Sequence, residues 1–153
     1  MADPRVLSDP TSLDAIGVYF TVRVDDVGGW YDLGTFISCE GLSVEVEIDS
    51  RPEGGNNEFV WKIPGRVTYS NVTLKRPLGP ETRLVSAWFQ SFANTTTPTT
   101  ARIAALTPRG YELLAWNLAG VIPARWQGPT FSTESAAVAT ETLELAHHGF
   151  TVE

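Results

Sequence analysis

The chain has 153 residues, 42% hydrophobic and 19% charged, a composition that fits one globular domain burying roughly two-thirds of its extended-chain surface on folding. Its formal charge of −7 argues against nucleic acid or an anionic membrane as the main partner, because both need clustered Lys and Arg. Cys39 stands alone, which excludes an internal disulfide and a multi-cysteine metal site. No apolar run nears the ~20 residues of a membrane span. The opening MADPRVLSDP lacks the basic and apolar regions of a secretory signal, so synthesis and folding in a cytoplasm are expected.

Residues 1–14 carry two prolines and little apolar periodicity, and read as a loosely ordered arm ahead of a single domain over 15–153. From Ile16, alternation places Ile16, Val18, Phe20, Val22 and Val24 on one face of a strand. Val27, Gly28 and Gly29 supply its turn, and residues 30–38 return as a second strand. Next, Leu42, Val44, Val46 and Ile48 alternate with Ser43, Glu45, Glu47 and Asp49, giving an apolar face expected in the core and an acidic face opposite. A glycine-bearing loop over 52–57 leads to a strand with Phe59, Trp61 and Ile63, then a turn at Pro64 and Gly65, then a third strand ending in Lys75 and Arg76.

Between Pro80 and Asn94 the period becomes helical. Leu84, Val85, Trp88, Phe89 and Phe92 form one apolar stripe, and Glu81 suits the positive end of a helix over about residues 81–93. The NTTTPTT run at 94–100 reads as a surface connector. Strands are expected over 101–107, 111–118, 121–127 and 137–147, parted at Pro108 to Gly110, at Ala119 and Gly120, and at Gly128 and Pro129. The pattern predicts a mainly β fold: an antiparallel β-sandwich or barrel of two packed sheets with one flanking α-helix.

Chemistry-bearing constellations are missing, so no catalytic, cofactor-binding or metal residue is assigned and no enzyme is expected. His147 and His148 are adjacent on a strand end and point to opposite faces, as do Glu141 and Glu144, three apart. Cys39 has no positioned histidine and reads as a semi-buried small residue at a strand end. Neither a nucleophile elbow nor a phosphate-cradling glycine loop occurs. Trp30, Trp61, Trp88, Trp116 and Trp126 are scattered, which suits core or interface packing; exposed aromatics on a carbohydrate-binding β-sandwich module are the alternative.

Several pieces in order carry a resemblance: Phe20-x-Val22-x-Val24, FISCEGL at 36–42, RPEGG at 51–55 before KIPG at 62–65, and YSNVTLKR at 69–76. Trp88 follows on the helix, then WNL at 116–118, PARWQGP at 123–129 and TETLELAHHG at 140–149. Together, over about 16–150, they resemble the inner-tube proteins of contractile phage tails and extracellular contractile injection systems. Pro77 stands where that family usually has glycine, so the turn into the helix is expected to differ.

The resemblance implies a structural subunit closing six-fold rings that stack into a tube, with a sheath protein, baseplate or tube-initiator proteins, and cargo protein or phage DNA as partners. The alternative is a baseplate-proximal tube initiator or a type VI secretion ring protein of the same fold. Made in a bacterial cytoplasm, such a subunit joins a tail or tail-like particle, and the subunit itself binds no membrane. Four strands from each of six copies make about 24, which at ~4.8 Å spacing and ~40° tilt gives a backbone diameter of about 48 Å. Glu45, Glu47 and Asp49 are expected to line that lumen, the rival placing them outward against a basic sheath surface. Arg51, Glu53, Gly54, Gly55, Asn56 and Asn57 are expected to reach an adjacent ring or subunit.

Overall fold

Alternating apolar positions drive a sheet that is curled on itself and covered by one amphipathic helix. The computed structural model describes residues 17–26, 29–55, 58–134 and 136–153. In chain order the elements are β1 (Tyr19–Asp26), β2 (Gly29–Phe36), β3 (Ser38–Glu40), β4 (Val44–Arg51), β5 (Trp61–Tyr69) and β6 (Val72–Pro77). Helix α1 (Thr82–Thr95) follows, then β7 (Thr99–Leu106), β8 (Glu112–Gln127), β9 (Thr140–Ala146) and β10 (Gly149–Val152). The expected arm and the turn at Val27 and Gly28 lie outside the described residues.

One sheet runs β2-β1-β7-β8-β9-β6-β3, with β10 also on β8, and β4 pairs with β5 in a separate two-stranded sheet. All ladders are antiparallel. Strands β2 and β3 are consecutive yet sit at opposite ends of that order, so the sheet wraps into two layers, with Ile37 at the corner donating its N–H to the Lys75 carbonyl at 2.9 Å. The single strand expected over 30–38 is therefore split at Ile37.

The expected break at Ala119 and Gly120 is also corrected. β8 runs unbroken for 16 residues, pairing with β7 and β10 through its first half and with β9 through its second. Gly120, at φ +61°, stands near where its pairing passes from β7 and β10 to β9.

Between the layers, Val22, Val24, Leu33, Phe36, Val72, Leu74, Ile103, Leu118, Val121, Leu143 and Leu145 are buried. Burial of each large aliphatic or aromatic side chain contributes about 1.5–3 kcal/mol against the entropy of ordering it. Helix α1 adds Val85 and Trp88 to this core, with Phe89 edge-on to Trp88 at 6.0 Å, while Leu84 of the expected stripe stays 40% exposed. The helix ends at Thr96, whose left-handed conformation lets its N–H reach the Phe92 carbonyl at 2.7 Å. Pro77 closes β6 opposite Thr140, and Leu78 donates to the Ala139 carbonyl at 2.9 Å, so the chain enters the helix along the sheet edge.

Candidate functional site

The hairpin β4–β5 overturns two sequence expectations. Leu42 is partly buried against the core, but Val44, Val46 and Ile48 are 53%, 42% and 51% exposed. The physical reason is connectivity: β4 and β5 bond only to each other, so their apolar face projects past the sandwich. Nor do Pro64 and Gly65 form a turn; both lie inside β5.

The register shows what they do instead. Val44 pairs with Tyr69, Glu45 with Thr68 and Val46 with Val67, and then Ile48 pairs with Pro64, Asp49 with Ile63 and Arg51 with Trp61. Two residues advance on β4 while three advance on β5, a bulge opposite Glu47. A Cβ on Gly65 would lie 3.2 Å from the Glu47 carbonyl oxygen, so a side chain there would push the strands apart by a few tenths of an ångström.

Partners across an antiparallel ladder share a face. Val44, Val46, Ile48, Pro64, Lys62, Val67 and Tyr69 therefore stand on one side of the hairpin. Glu45, Glu47, Asp49, Arg51, Thr68, Ile63 and Trp61 stand on the other.

All three acidic residues are exposed. Arg51 pairs with Asp49 at 3.1 Å, and Glu53 accepts a hydrogen bond from the Trp61 indole N–H at 3.1 Å. Phe59 meets Trp61 edge-on at 5.2 Å. Gly54 and Gly55 form the exposed tip, while Asn56 and Asn57 lie outside the described residues.

The base of the hairpin is anchored. Tyr69 packs edge-on to Phe150 at 5.7 Å, His147 Nε2 bonds the Ser70 carbonyl at 2.9 Å, and the Ser43 and Ser70 hydroxyls bond at 2.9 Å. Gly41, at φ +91°, lets the chain pass the Asn71 carbonyl: a Cβ there would lie 2.0 Å from that oxygen. His147 is buried on this anchor and His148 is exposed, both standing between the end of β9 and the start of β10. Among the described residues no three His, Cys, Asp or Glu gather as metal ligands.

Sequence reasoning missed a buried polar node. Arg76 on β6 is ion-paired with Glu141 on β9, and both are almost wholly buried. Glu141 also accepts from the Thr82 hydroxyl at 3.0 Å and the Trp126 indole at 2.9 Å. Arg76 donates to the Leu33 carbonyl, and its guanidinium lies 4.4 Å from the centre of the Phe36 ring. The node ties β2, β6, β8, β9 and α1 together. One signal was available: Glu141 falls in phase with Leu143 and Leu145, an acidic residue at a core position of the alternation.

Cys39, half-buried on β3, has its thiol pushed up to about 12 by burial and, secondarily, by the Glu40 charge. On the outer face of β7, Arg102 makes two hydrogen bonds to Glu112, at 2.6 and 3.0 Å. Those bonds hold the Glu112 carboxyl below the usual carboxylate range and raise the guanidinium. Glu153 completes this cluster at 3.5 Å.

The described residues build a curled antiparallel sandwich with a flanking helix and a projecting hairpin exposed on both faces. The model of the T4-like virus tail tube protein gp19 family matches residues 17–151, and the chain belongs to that family. Family membership decides between the tube and carbohydrate-module readings in favour of the tube.

Among solved structures, the chain is similar to one from the sheath–tube complex of the extracellular contractile injection system PVC in its extended state. That match has 20% identity, a TM-score of 0.75, and covers 100% of this chain and 99% of the other. A chain of the anti-feeding prophage baseplate matches at 20% identity and TM-score 0.70, covering 89% and 91%. Hcp1 from Salmonella typhimurium matches at 13% identity and TM-score 0.54, covering 90% and 93%. These likenesses show the fold. A comparison with curated proteins gives no match.

Proposed function

We propose that the chain is the repeating subunit of the inner tube of a contractile injection apparatus, closing six-fold rings that stack around a lumen. The carrying observation is the hairpin, exposed on both faces in the single chain although its residues are those of a buried strand pair. Ring closure would pair such strands and remove open edges that otherwise invite aggregation. A surrounding sheath supplies the thrust, a baseplate templates the first ring, and cargo protein or phage DNA occupies the channel.

Glu45 and Glu47 face that channel in this reading. Six copies of −7 give about −42 per ring, and an acidic wall repels polyanions and limits sticking of cargo. Asp49 differs in having an exposed ion pair with Arg51. The loop over 51–57 contacts the next ring.

Negative-stain microscopy and sedimentation of the purified protein test the reading together. Rings or tubes with a channel within the ~48 Å backbone diameter support it. A monodisperse monomer at every concentration, with and without a baseplate template, sinks it.

A further inference from the structure

The bulge at Gly65 divides the hairpin into two stretches of different character. On the near side, the ladder is two-faced: Val44, Val46, Val67 and Tyr69 against Glu45, Glu47 and Thr68. Beyond it, β5 has changed phase. Ile63 and Trp61 now stand on the acidic face, with Phe59 against Trp61, while Ile48 and Pro64 share the other face with Ser50 and Lys62. The far stretch thus carries exposed apolar side chains on both sides.

Three of the charged side chains there have partners within the hairpin. Asp49 is paired with Arg51, and Glu53 holds the Trp61 indole N–H. A lumen wall of Glu45, Glu47 and Asp49 in one wet row would put Trp61 and Ile63 in the channel water, at 51% and 43% exposure. The hairpin's exposed apolar residues, Val44, Val46, Ile48, Phe59, Val60, Trp61, Ile63 and Val67, present on the order of 700 Å². Divided between the two faces, it leaves an ordinary-sized patch on each, and together it is close to one partner's share of a standard interface. One flat surface cannot cover both sides of a two-stranded ribbon, so two bodies are required.

The chain carries a surface suited to one of those contacts. A groove of about 540 Å³, lined by Trp30, Tyr69, Leu118 and Phe150 and mostly apolar, opens beside the hairpin base. Trp30 is 61% exposed at its mouth. The groove lies on the sandwich and the aromatic stretch on the hairpin, so one copy's knob and another's socket are different patches. Such a head-to-tail contact is the kind that closes rings.

We infer that the hairpin beyond Gly65 is clasped on both faces by neighbouring copies of this chain. Phe59, Trp61 and Ile63 seat in the Trp30 groove of one neighbour, and Ile48 and Pro64 are covered by another. Glu45 and Glu47, on the near side of the bulge, stay wet. The inference rests on the tube reading and assigns which part of the hairpin is wall and which part is joint.

The test uses the full chain with Cys39→Ala and single cysteines at Ile63→Cys and Glu47→Cys, labelled by a maleimide in dispersed and in assembled protein. Labelling at position 63 should slow by about tenfold or more on assembly, whereas position 47 keeps its rate. Equal labelling of position 63 in both states overturns the clasp while leaving the tube intact. Should the cysteine variants fail to assemble, Trp30→Asp and Trp61→Asp replace them: each should yield a folded monomer by circular dichroism that forms no particles. Normal particles from either variant overturn the groove assignment. If the parent chain itself never assembles, the tube reading fails and the clasp falls with it.

Discussion

Replacing Glu141 by Gln should be among the most damaging single changes of one charge in this chain. The substitution keeps the size and an acceptor oxygen, yet leaves the Arg76 guanidinium, 3% exposed, without a counter-charge. Breaking a buried pair from one side costs about 3–5 kcal/mol, because the remaining charge is neither paired nor hydrated. Against a total stability of about 5–15 kcal/mol, that is a large share.

The double variant Arg76→Met/Glu141→Leu removes both charges. Because no charge is left buried alone, it should cost less than the sum of Arg76→Met and Glu141→Leu; about 1–3 kcal/mol remains, since the Trp126 indole, the Thr82 hydroxyl and the Leu33 carbonyl lose a partner. Urea unfolding of the dispersed protein, followed by tryptophan fluorescence, measures all corners of the cycle. If Glu141→Gln shifts stability by under about 1 kcal/mol, or if the single effects simply add, the node does not hold the layers in the way its geometry implies.

Other outcomes follow from single features. Gly41→Ala should fail to fold or lose several kcal/mol, because its Cβ would strike the Asn71 carbonyl at 2.0 Å, whereas Gly54→Ala, with open space around it, should shift the urea midpoint hardly at all. With its thiol pushed up to about 12, Cys39 should react with iodoacetamide at pH 8 about a thousandfold more slowly in the native than in the unfolded protein; comparable rates would contradict the burial. The raised value sets the sign of its linkage: this contribution to stability is complete below about pH 9 and is lost as pH rises toward 12. Glu112, held low by Arg102, contributes above the ordinary carboxylate value and loses that contribution as pH falls through its folded value; being exposed, it should be worth only about 0.5 kcal/mol. Glu112→Gln should therefore lower the urea midpoint slightly at pH 7 and not at pH 3 or in 1 M salt (about a 3 Å screening length), as equilibrium unfolding would read out. Deleting residues 54–56 should leave a folded monomer that no longer grows tubes; unimpaired growth by microscopy would count against a role for the loop in ring contact.

Much of the sandwich was legible because buried strands leave a period of two. Val22 and Val24, Leu143 and Leu145 behave as that period demands, and the helix is legible from Val85 and Trp88 at helical spacing. Legibility failed where alternation does not identify the neighbour. Val44, Val46 and Ile48 have the pattern of a core strand, but the pattern cannot say whether the covering surface belongs to the same chain. Pro64 and Gly65 look like a turn, since proline removes a ladder donor and glycine tolerates tight approach; a bulge uses the same two properties inside a strand. Gly120 misled in the same way, taking a positive φ inside β8 and not at its end. The Arg76–Glu141 node was hidden by distance, its members lying 65 residues apart.

The length of β8 has a mechanical consequence. Its first half is hydrogen-bonded within one layer and its second half within the other, so one continuous backbone serves as a tie-beam across the sandwich. A force along that strand loads its ladders in shear, where many hydrogen bonds resist together, instead of peeling them open one at a time. The corner at Ile37 stitches the far edges of the same two layers. The subunit is braced on two sides, so a load along β8 is shared between both layers.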